Sequence, residues 1–211
     1  PSLAVADDGT FGTLFMPSQT GGANWPGGAV DPETGFMYIF SKSDVGRMSM
    51  SSRPERSDMD YINLQLRTAP RLSVEGLPLI KPPYGQIVAL DLNEGEKLWD
   101  VVHGETPDSI RNHPALAGLD IPPTGQAGRV GVLVTKTLVI AGDGGSYTNA
   151  DGEQEALLRA YDKLSGEQLG SLAMPAQQTG SPMTYAIDGV QYLAVAIAGS
   201  DVPGRLRVYS Y

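Results

Sequence analysis

The sequence predicts an all-β fold, a partial propeller of about three four-stranded antiparallel blades carrying long loop insertions. Three observations predict it. Apolar residues come in short runs rich in β-branched types, too short for core helices. The runs are bounded by Asp, Gly and Pro turns. A strand–turn–strand pattern then repeats along the chain. Composition agrees: 41% hydrophobic residues suffice for a core, while 18% charged residues with 26 Gly and 16 Pro mean many turns and few solvated helices.

In chain order, Thr10 to Pro17 reads as the outer strand of a preceding blade. The first blade spans about 26–102. It opens with a hairpin from Ala29 to Phe40 that turns at Asp31-Pro32-Glu33-Thr34-Gly35, and continues with Ile87-Val88-Ala89-Leu90. A polar, Met-spotted insertion, 43–84, interrupts it. A loop of that length is a lid, a binding loop or disordered, and Met48 and Met50 read as part of a mobile surface loop. The connection from Gly104 to Gly125 holds both histidines and a short helix near Asp108 to Leu116. The second blade, about 127–173, opens with a hairpin from Val130 to Ala141. The third, about 180–211, has a hairpin from Met183 to Ile197 around Asp188-Gly189, a strong hairpin signal because that turn needs positive φ. It ends after one more strand near Leu206 to Tyr209. Three blades do not close a ring. The sequence is therefore expected to be a single C-terminal propeller segment, 1–211, whose partners include missing N-terminal blades; Pro1-Ser2-Leu3-Ala4 reads as a cut within or after a longer precursor.

Charge and composition exclude several classes. A net charge of -9 repels phosphate backbones, so nucleic acid is not an expected partner. With no cysteine there is no disulfide, thiol nucleophile or Cys-type zinc site. No apolar run is long enough to span a membrane, and no signal peptide is visible.

The repeat carries a resemblance. Ala89-x-Asp91-x-x-x-Gly95-x-x-x-Trp99 recurs as Ala160-x-Asp162-x-x-x-Gly166-x-x-x-Gly170. The first copy resembles the tryptophan-docking motif of the eight-bladed, pyrroloquinoline quinone (PQQ)-dependent alcohol and sugar dehydrogenases. Gly21-Gly22-Ala23-Asn24-Trp25 followed by Asp31-Pro32 resembles that family's G-x-N-W segment. Pro82-Pro83-Tyr84-Gly85-Gln86-Ile87 resembles the start of a late blade in the glucose-dehydrogenase-like branch. Ser181-Pro182-Met183-Thr184-Tyr185 with Gly189-x-Gln191-Tyr192 resembles its closing signature.

The resemblance implies PQQ and Ca²⁺ in a central channel of the complete enzyme. It also implies an Asp general base, a sugar or alcohol substrate, a quinone or cytochrome electron acceptor and a periplasmic location. The base, the metal ligands and the Trp floor belong to blades without counterparts here, so no catalytic or metal-binding residue is expected in this segment, and the segment alone is expected to be inactive. The cofactor-binding candidates are Asn24 and Trp25, then Gln126 and Arg129, and Gln178 and Thr179, on two stretches that align with channel-facing loops. Two departures stand out. No aromatic residue precedes the Arg129 strand, where alcohol dehydrogenases carry a Trp, and Gly170 replaces the second docking Trp, which is expected to loosen one seam.

The bland readings run beside these. Asn24-Trp25 taken alone is a turn Asn and a core Trp. Trp99 is structural on either reading. His103 and His113 lack an acidic partner at ligand spacing. Asp143-Gly144-Gly145-Ser146 and Asn149-Ala150-Asp151-Gly152 lack the spacing of a calcium loop and read as ordinary turns. The alternative to an enzyme is a non-catalytic scaffold propeller with the same repeat, or a half-propeller pairing through an exposed blade edge.

Overall fold

The computed structural model describes residues 2–3, 11–63 and 71–210; Pro1, Ala4 and Thr10, named above, and 64–70 of the insertion lie outside the described residues. In chain order the strands are β1 (Ser2–Leu3), β2 (Thr13–Phe15), β3 (Gly28–Asp31), β4 (Phe36–Lys42), β5 (Gly46–Ser51), β6 (Ile62–Asn63), β7 (Ser73–Val74), β8 (Leu77–Pro78), β9 (Gly85–Asp91), β10 (Glu96–Val102), β11 (Leu133–Val134), β12 (Leu138–Gly142), β13 (Tyr147–Thr148), β14 (Gln154–Asp162), β15 (Gln168–Met174), β16 (Met183–Ile187), β17 (Val190–Ile197) and β18 (Arg205–Ser210). The helix α1 (Asp108–Arg111) and a 3-10 turn at Pro114–Leu116 fall where one short helix was expected. The chain divides into two compact units, Pro1–Gly22 with Ser43–Lys81, and Ala23–Lys42 with Pro82–Tyr211.

In the first unit β5 pairs with β2 antiparallel, with β1 parallel and with β6 antiparallel, and β7 and β8 form a separate ribbon. This corrects two expectations. Met48 and Met50 are half-buried strand residues of β5, because Met48 pairs with Thr13 and Met50 with Asn63. The described part of Thr10 to Pro17 pairs with that same strand, β5, and adds no strand to a propeller sheet.

The second unit stacks three antiparallel sheets. Their orders are β10-β9-β4-β3, then β11-β12-β14-β15 with β13 beside β14, then β16-β17-β18. One turn is built twice between the outer strands. Asp91 accepts the N–H of Asn93 at 2.8 Å and Asp162 that of Leu164 at 3.0 Å. Gly95 and Gly166 close these turns onto the Asp carbonyls with φ of 74° and 75°. A carboxylate two residues before an N–H and a glycine at positive φ are the reason the D-x-x-x-G spacing repeats. The third hairpin instead turns through Asp188 and Gly189, both at positive φ.

Period-2 alternation sorts side chains into two cores. Tyr38, Phe40, Ile87 and Ala89 of the first sheet meet Val139, Ala141 and Tyr161 of the second. On the opposite face of the second sheet, Ile140, Ala156 and Leu158 meet Leu193, Val195 and Ile197 of the third. The middle sheet is therefore buried on both faces, and β12 reads as a continuous apolar run.

Trp99 fixes the first seam. Its ring lies tilted against Tyr38 at 5.7 Å, and its indole N–H donates to the Lys163 carbonyl at 3.2 Å. A Cβ on Gly166 would come within 2.8 Å of the indole. The Tyr38 hydroxyl donates to the same carbonyl at 3.1 Å, and burial pushes its pKa up to about 12. Beneath them Lys163 Nζ reaches the Asp31 carboxylate at 2.6 Å, which holds Asp31 below its usual range. At the corresponding position of the second copy, Gly170 is exposed and a Cβ there would touch nothing within 4 Å.

The expected strand at Val130 is shorter than the sequence implies. Only Leu133 and Val134 join the ladder. The Gly131 carbonyl is taken by the Gln178 side chain, and a Cβ on Gly131 would sit 2.1 Å from Ser181 Oγ. The segment is packed edgewise against a neighbouring loop, which prevents regular pairing.

Candidate functional site

Antiparallel alternation places all six candidate residues at one end of the three sheets. That end carries the approach to β3 with Asn24 and Trp25, the connection from β10 to β11 with Gln126 and Arg129, and the connection from β15 to β16 with Gln178 and Thr179. The loops from β12 to β14 and from β17 to β18 join them. The Asp–Gly turns lie at the opposite end.

Asn24 is half-buried and its Oδ1 accepts the Trp25 N–H at 2.6 Å, while its carbonyl accepts from Gly27 at 2.8 Å. Trp25 is 98% exposed, so it is no core residue.

Gln126 anchors the next connection. Its backbone N–H donates to the His103 carbonyl at 3.1 Å and its Nε2 to the Ser146 carbonyl at 3.2 Å. Its Oε1 is buried with no hydrogen-bond partner among the described residues. The connection lies flat on β9: a Cβ on Gly85 would stand 2.2 Å from the Gln126 carbonyl, so both backbones meet only because Gly85 has no side chain. Arg129 is exposed.

Gln178 is corrected from a ligand contact to a clamp. Its side chain is buried, 3% exposed. Oε1 accepts from the Gly142 N–H at 2.6 Å and Nε2 donates to the Gly131 carbonyl at 2.8 Å. Its amide is spent on the backbone of the second sheet. Thr179, next to it, is exposed and lines a cavity of about 640 Å³ with Ser146, Gln154, Gln177, Ser200 and Asp201. The structure thus brings Thr179 and the Ser146 loop held by Gln126 to one groove, while Asn24 and Trp25 stand on the approach to the first sheet.

Behind the groove lies a buried polar network that the sequence did not reveal. Arg159 Nε donates to Asp143 Oδ1 at 2.8 Å and Nη2 to Glu105 Oε1 at 2.9 Å, while Nη1 reaches Gln168 Oε1 at 3.1 Å. The Asp143 Oδ2 also accepts the Leu157 N–H at 3.0 Å. Burial opposes the charge on Arg159, but the two carboxylates outweigh it and raise its pKa. His103, fully buried, lies between the Tyr161 hydroxyl at 2.8 Å and the Gly142 carbonyl at 3.1 Å. With Nε2 donating to that carbonyl, Nδ1 accepts from Tyr161, and burial pulls the His103 pKa down. The signal available beforehand was Arg159 itself, a charge amid the otherwise apolar run Ala156-Leu157-Leu158-Arg159-Ala160. Asp108 ties the connection to the groove wall, accepting from Thr148 Oγ1 at 2.6 Å and from its N–H at 3.0 Å. Among the described residues no group of three or more His, Cys, Asp or Glu could hold a metal ion.

The model of the β-propeller domain of PQQ-dependent glucose, ethanol and alcohol dehydrogenases matches residues 5–193. The chain belongs to this family. Among PQQ-dehydrogenase relatives, the quinoprotein glucose dehydrogenase of Escherichia coli K12 is 33% identical over 89% of the chain and 25% of its own length. A probable quinate dehydrogenase (quinone) of Xanthomonas campestris pv. juglandis is 26% identical over 91% of the chain and 25% of its own length. The chain thus spans about a quarter of the length of the curated relatives it matches. The structure of a quinohemoprotein alcohol dehydrogenase from Pseudomonas putida HK5 superposes with a TM-score of 0.55 at 19% identity, covering 89% of this chain and 24% of that one. That likeness shows the fold, and it is the propeller predicted from the repeat.

Proposed function

We propose that this chain forms part of the cofactor-binding end of a PQQ-dependent dehydrogenase that oxidises a sugar or alcohol. The observation that carries the reading is the family match over most of the chain, joined to a loop end where Asn24, Trp25 and Arg129 are all presented. PQQ is a planar quinone bearing three carboxylates, and it supplies the two-electron acceptor for the substrate's hydride when bound. The residues suit such a group. Trp25 offers a flat face, Asn24 a side-chain amide, and Arg129 a guanidinium that pairs with a carboxylate. Gln178 and Gln126 hold the loops that carry Thr179 and Arg129 through backbone bonds.

The base and any metal ligands then come from outside this chain, as do the remaining blades, and the chain alone is inactive. Ca²⁺ is the metal this reading assigns to the complete enzyme, with a quinone or cytochrome as electron acceptor and the periplasm as location. The test is PQQ binding by equilibrium dialysis on the complete propeller, this chain together with the blades it lacks. Asn24→Ala and Arg129→Ala should each weaken it about tenfold, the scale of one lost hydrogen bond to a charged group. A protein that binds no PQQ is a scaffold propeller, and the enzyme reading falls.

A further inference from the structure

The second seam lacks the groups that fill the first. In the first sheet Trp99 pairs with Ala89 and Ala89 with Tyr38, one row across β10, β9 and β4, beside a register shift between Lys97 and Trp99. The second sheet repeats that row as Gly170, Ala160 and Ile140 across β15, β14 and β12, beside a register shift between Ala160 and Tyr161. Directly paired residues of an antiparallel ladder share a face, so this row faces the third sheet, as Ile140 does. The indole and phenol of the first seam become a hydrogen and a sec-butyl group in the second. The space stays open, since a Cβ on Gly170 would touch nothing within 4 Å.

A cavity of about 300 Å³ lies in the second seam, at the lower end of the range for small-molecule sites. Leu138 and Ile140 of β12 and Leu193 of β17 supply its apolar lining. Two of its hydroxyls are already committed. Thr135 Oγ1 accepts the Leu138 N–H at 3.1 Å. Thr184 Oγ1 donates to the Tyr192 carbonyl at 2.8 Å and accepts from Gln191 Nε2 at 2.9 Å. Water gains little from these groups, and an apolar ligand that displaces it strips no hydrogen bond from them. The lining holds one cation, Lys136, which is exposed, and no carboxylate, so an anionic substituent is favoured over a cationic one. The cavity lies at the turn end of the sheets, because Leu138 pairs with Asp162, where the Asp162 to Gly166 turn begins. Asn24, Arg129 and Thr179 lie at the other end.

We propose that this cavity binds a small planar aromatic carboxylate, whose ring fills the second seam as the Trp99 indole fills the first and whose carboxylate pairs with Lys136. The inference goes beyond the dehydrogenase reading and does not rest on it, since it concerns the end of the sheets away from the proposed cofactor site.

The experiment uses the complete propeller, this chain together with the blades it lacks, with indole-3-acetate and indole as probes. Calorimetry with and without saturating PQQ reads affinity, and hydrogen exchange of the amides of 183–197 locates the site. Indole-3-acetate should bind saturably, about threefold more tightly than indole, and Lys136→Gln should remove that difference, the scale of one exposed ion pair. Binding should slow exchange across β16 and β17. Gly170→Trp should slow the same exchange without ligand and weaken both probes about tenfold or more. Gly170→Ala, too small to fill the cavity, should leave both affinities unchanged. Where Gly170→Trp does not fold, Gln191→Trp, at an exposed lining position, closes the cavity from the third sheet and should give the same loss. No saturable binding, affinity that survives a folded Trp variant, or protection confined to segments outside the second seam overturns the proposal. Competition by PQQ also overturns it, because the probe then sits at the cofactor end. Binding that a Trp variant blocks in a protein that takes up no PQQ keeps the seam site and sinks the dehydrogenase reading.

Discussion

Replacing Arg159 with Met, a side chain of similar length that retains the packing stem, should be among the most destabilising single changes in the second unit. Arg159 is 7% exposed and Asp143 fully buried. Arg159 supplies four hydrogen bonds, two to Asp143 and one each to Glu105 and Gln168. Arg159→Met leaves the Asp143 carboxylate with the Leu157 N–H, at 3.0 Å, and strands a charge in a buried seam. Breaking a buried pair by removing one partner costs about 3–5 kcal/mol, whereas replacing both partners by apolar groups is near neutral. At roughly 2–4 °C per kcal/mol for a protein of this size, the single change lowers Tm by about 6–20 °C. Arg159→Met with Asp143→Leu should recover most of that loss. Urea unfolding followed by tryptophan fluorescence, with calorimetry for Tm, reads both. A loss below about 1 kcal/mol for Arg159→Met, or a double variant no better than the single, refutes the account of a stranded buried carboxylate.

Two more outcomes follow from the seams. Trp99→Ala should cost roughly 2–3 kcal/mol, less than for a fully buried Trp because the ring is half-exposed, and Trp99→Phe about 1 kcal/mol for the lost bond to Lys163; equal losses would show that the ring does not dock on the Gly166 turn. His103 gives a pH dependence with a definite sign. Its folded pKa is held below 6.5 by burial, so under pH 6.5 the unfolded chain binds the extra proton. Its contribution to stability is complete above pH 6.5 and is lost as pH falls toward the folded value, at up to about 1.4 kcal/mol per pH unit. His103→Gln should flatten the difference in Tm between pH 7 and pH 5, and an unchanged difference would contradict a neutral buried imidazole.

The parts legible in the sequence were those that local chemistry dictates. Asp91 and Gly95 specify a turn by themselves, because the carboxylate bonds N–H groups two and three residues on and the glycine takes positive φ. The repeat of that turn at Asp162 and Gly166 then orders the strands. The insertion was misjudged for the complementary reason. Polar β5 carries no alternation strong enough to announce a strand, and its partners β2 and β6 are remote in sequence. The site divides along the same line. Asn24 and Trp25 stood out because a short motif holds them, and the structure leaves Trp25 exposed. Gln178 stood out equally and proved a clamp, since a side-chain amide looks identical in sequence whether it meets a cofactor or the Gly131 and Gly142 backbone. The residues beside it make the distinction physical. A chain that must hold a ligand at the end of a stack of sheets needs two kinds of polar residue there, some buried and fully bonded to fix the loops, others exposed on those fixed loops. Gln178, Arg159 and Asp143 are of the first kind, and Thr179, Arg129 and Asp201 of the second. Substitution in the first set should therefore lower stability and affinity together, and substitution in the second should lower affinity alone, which makes the ratio of the two effects a direct reading of which residues touch the ligand.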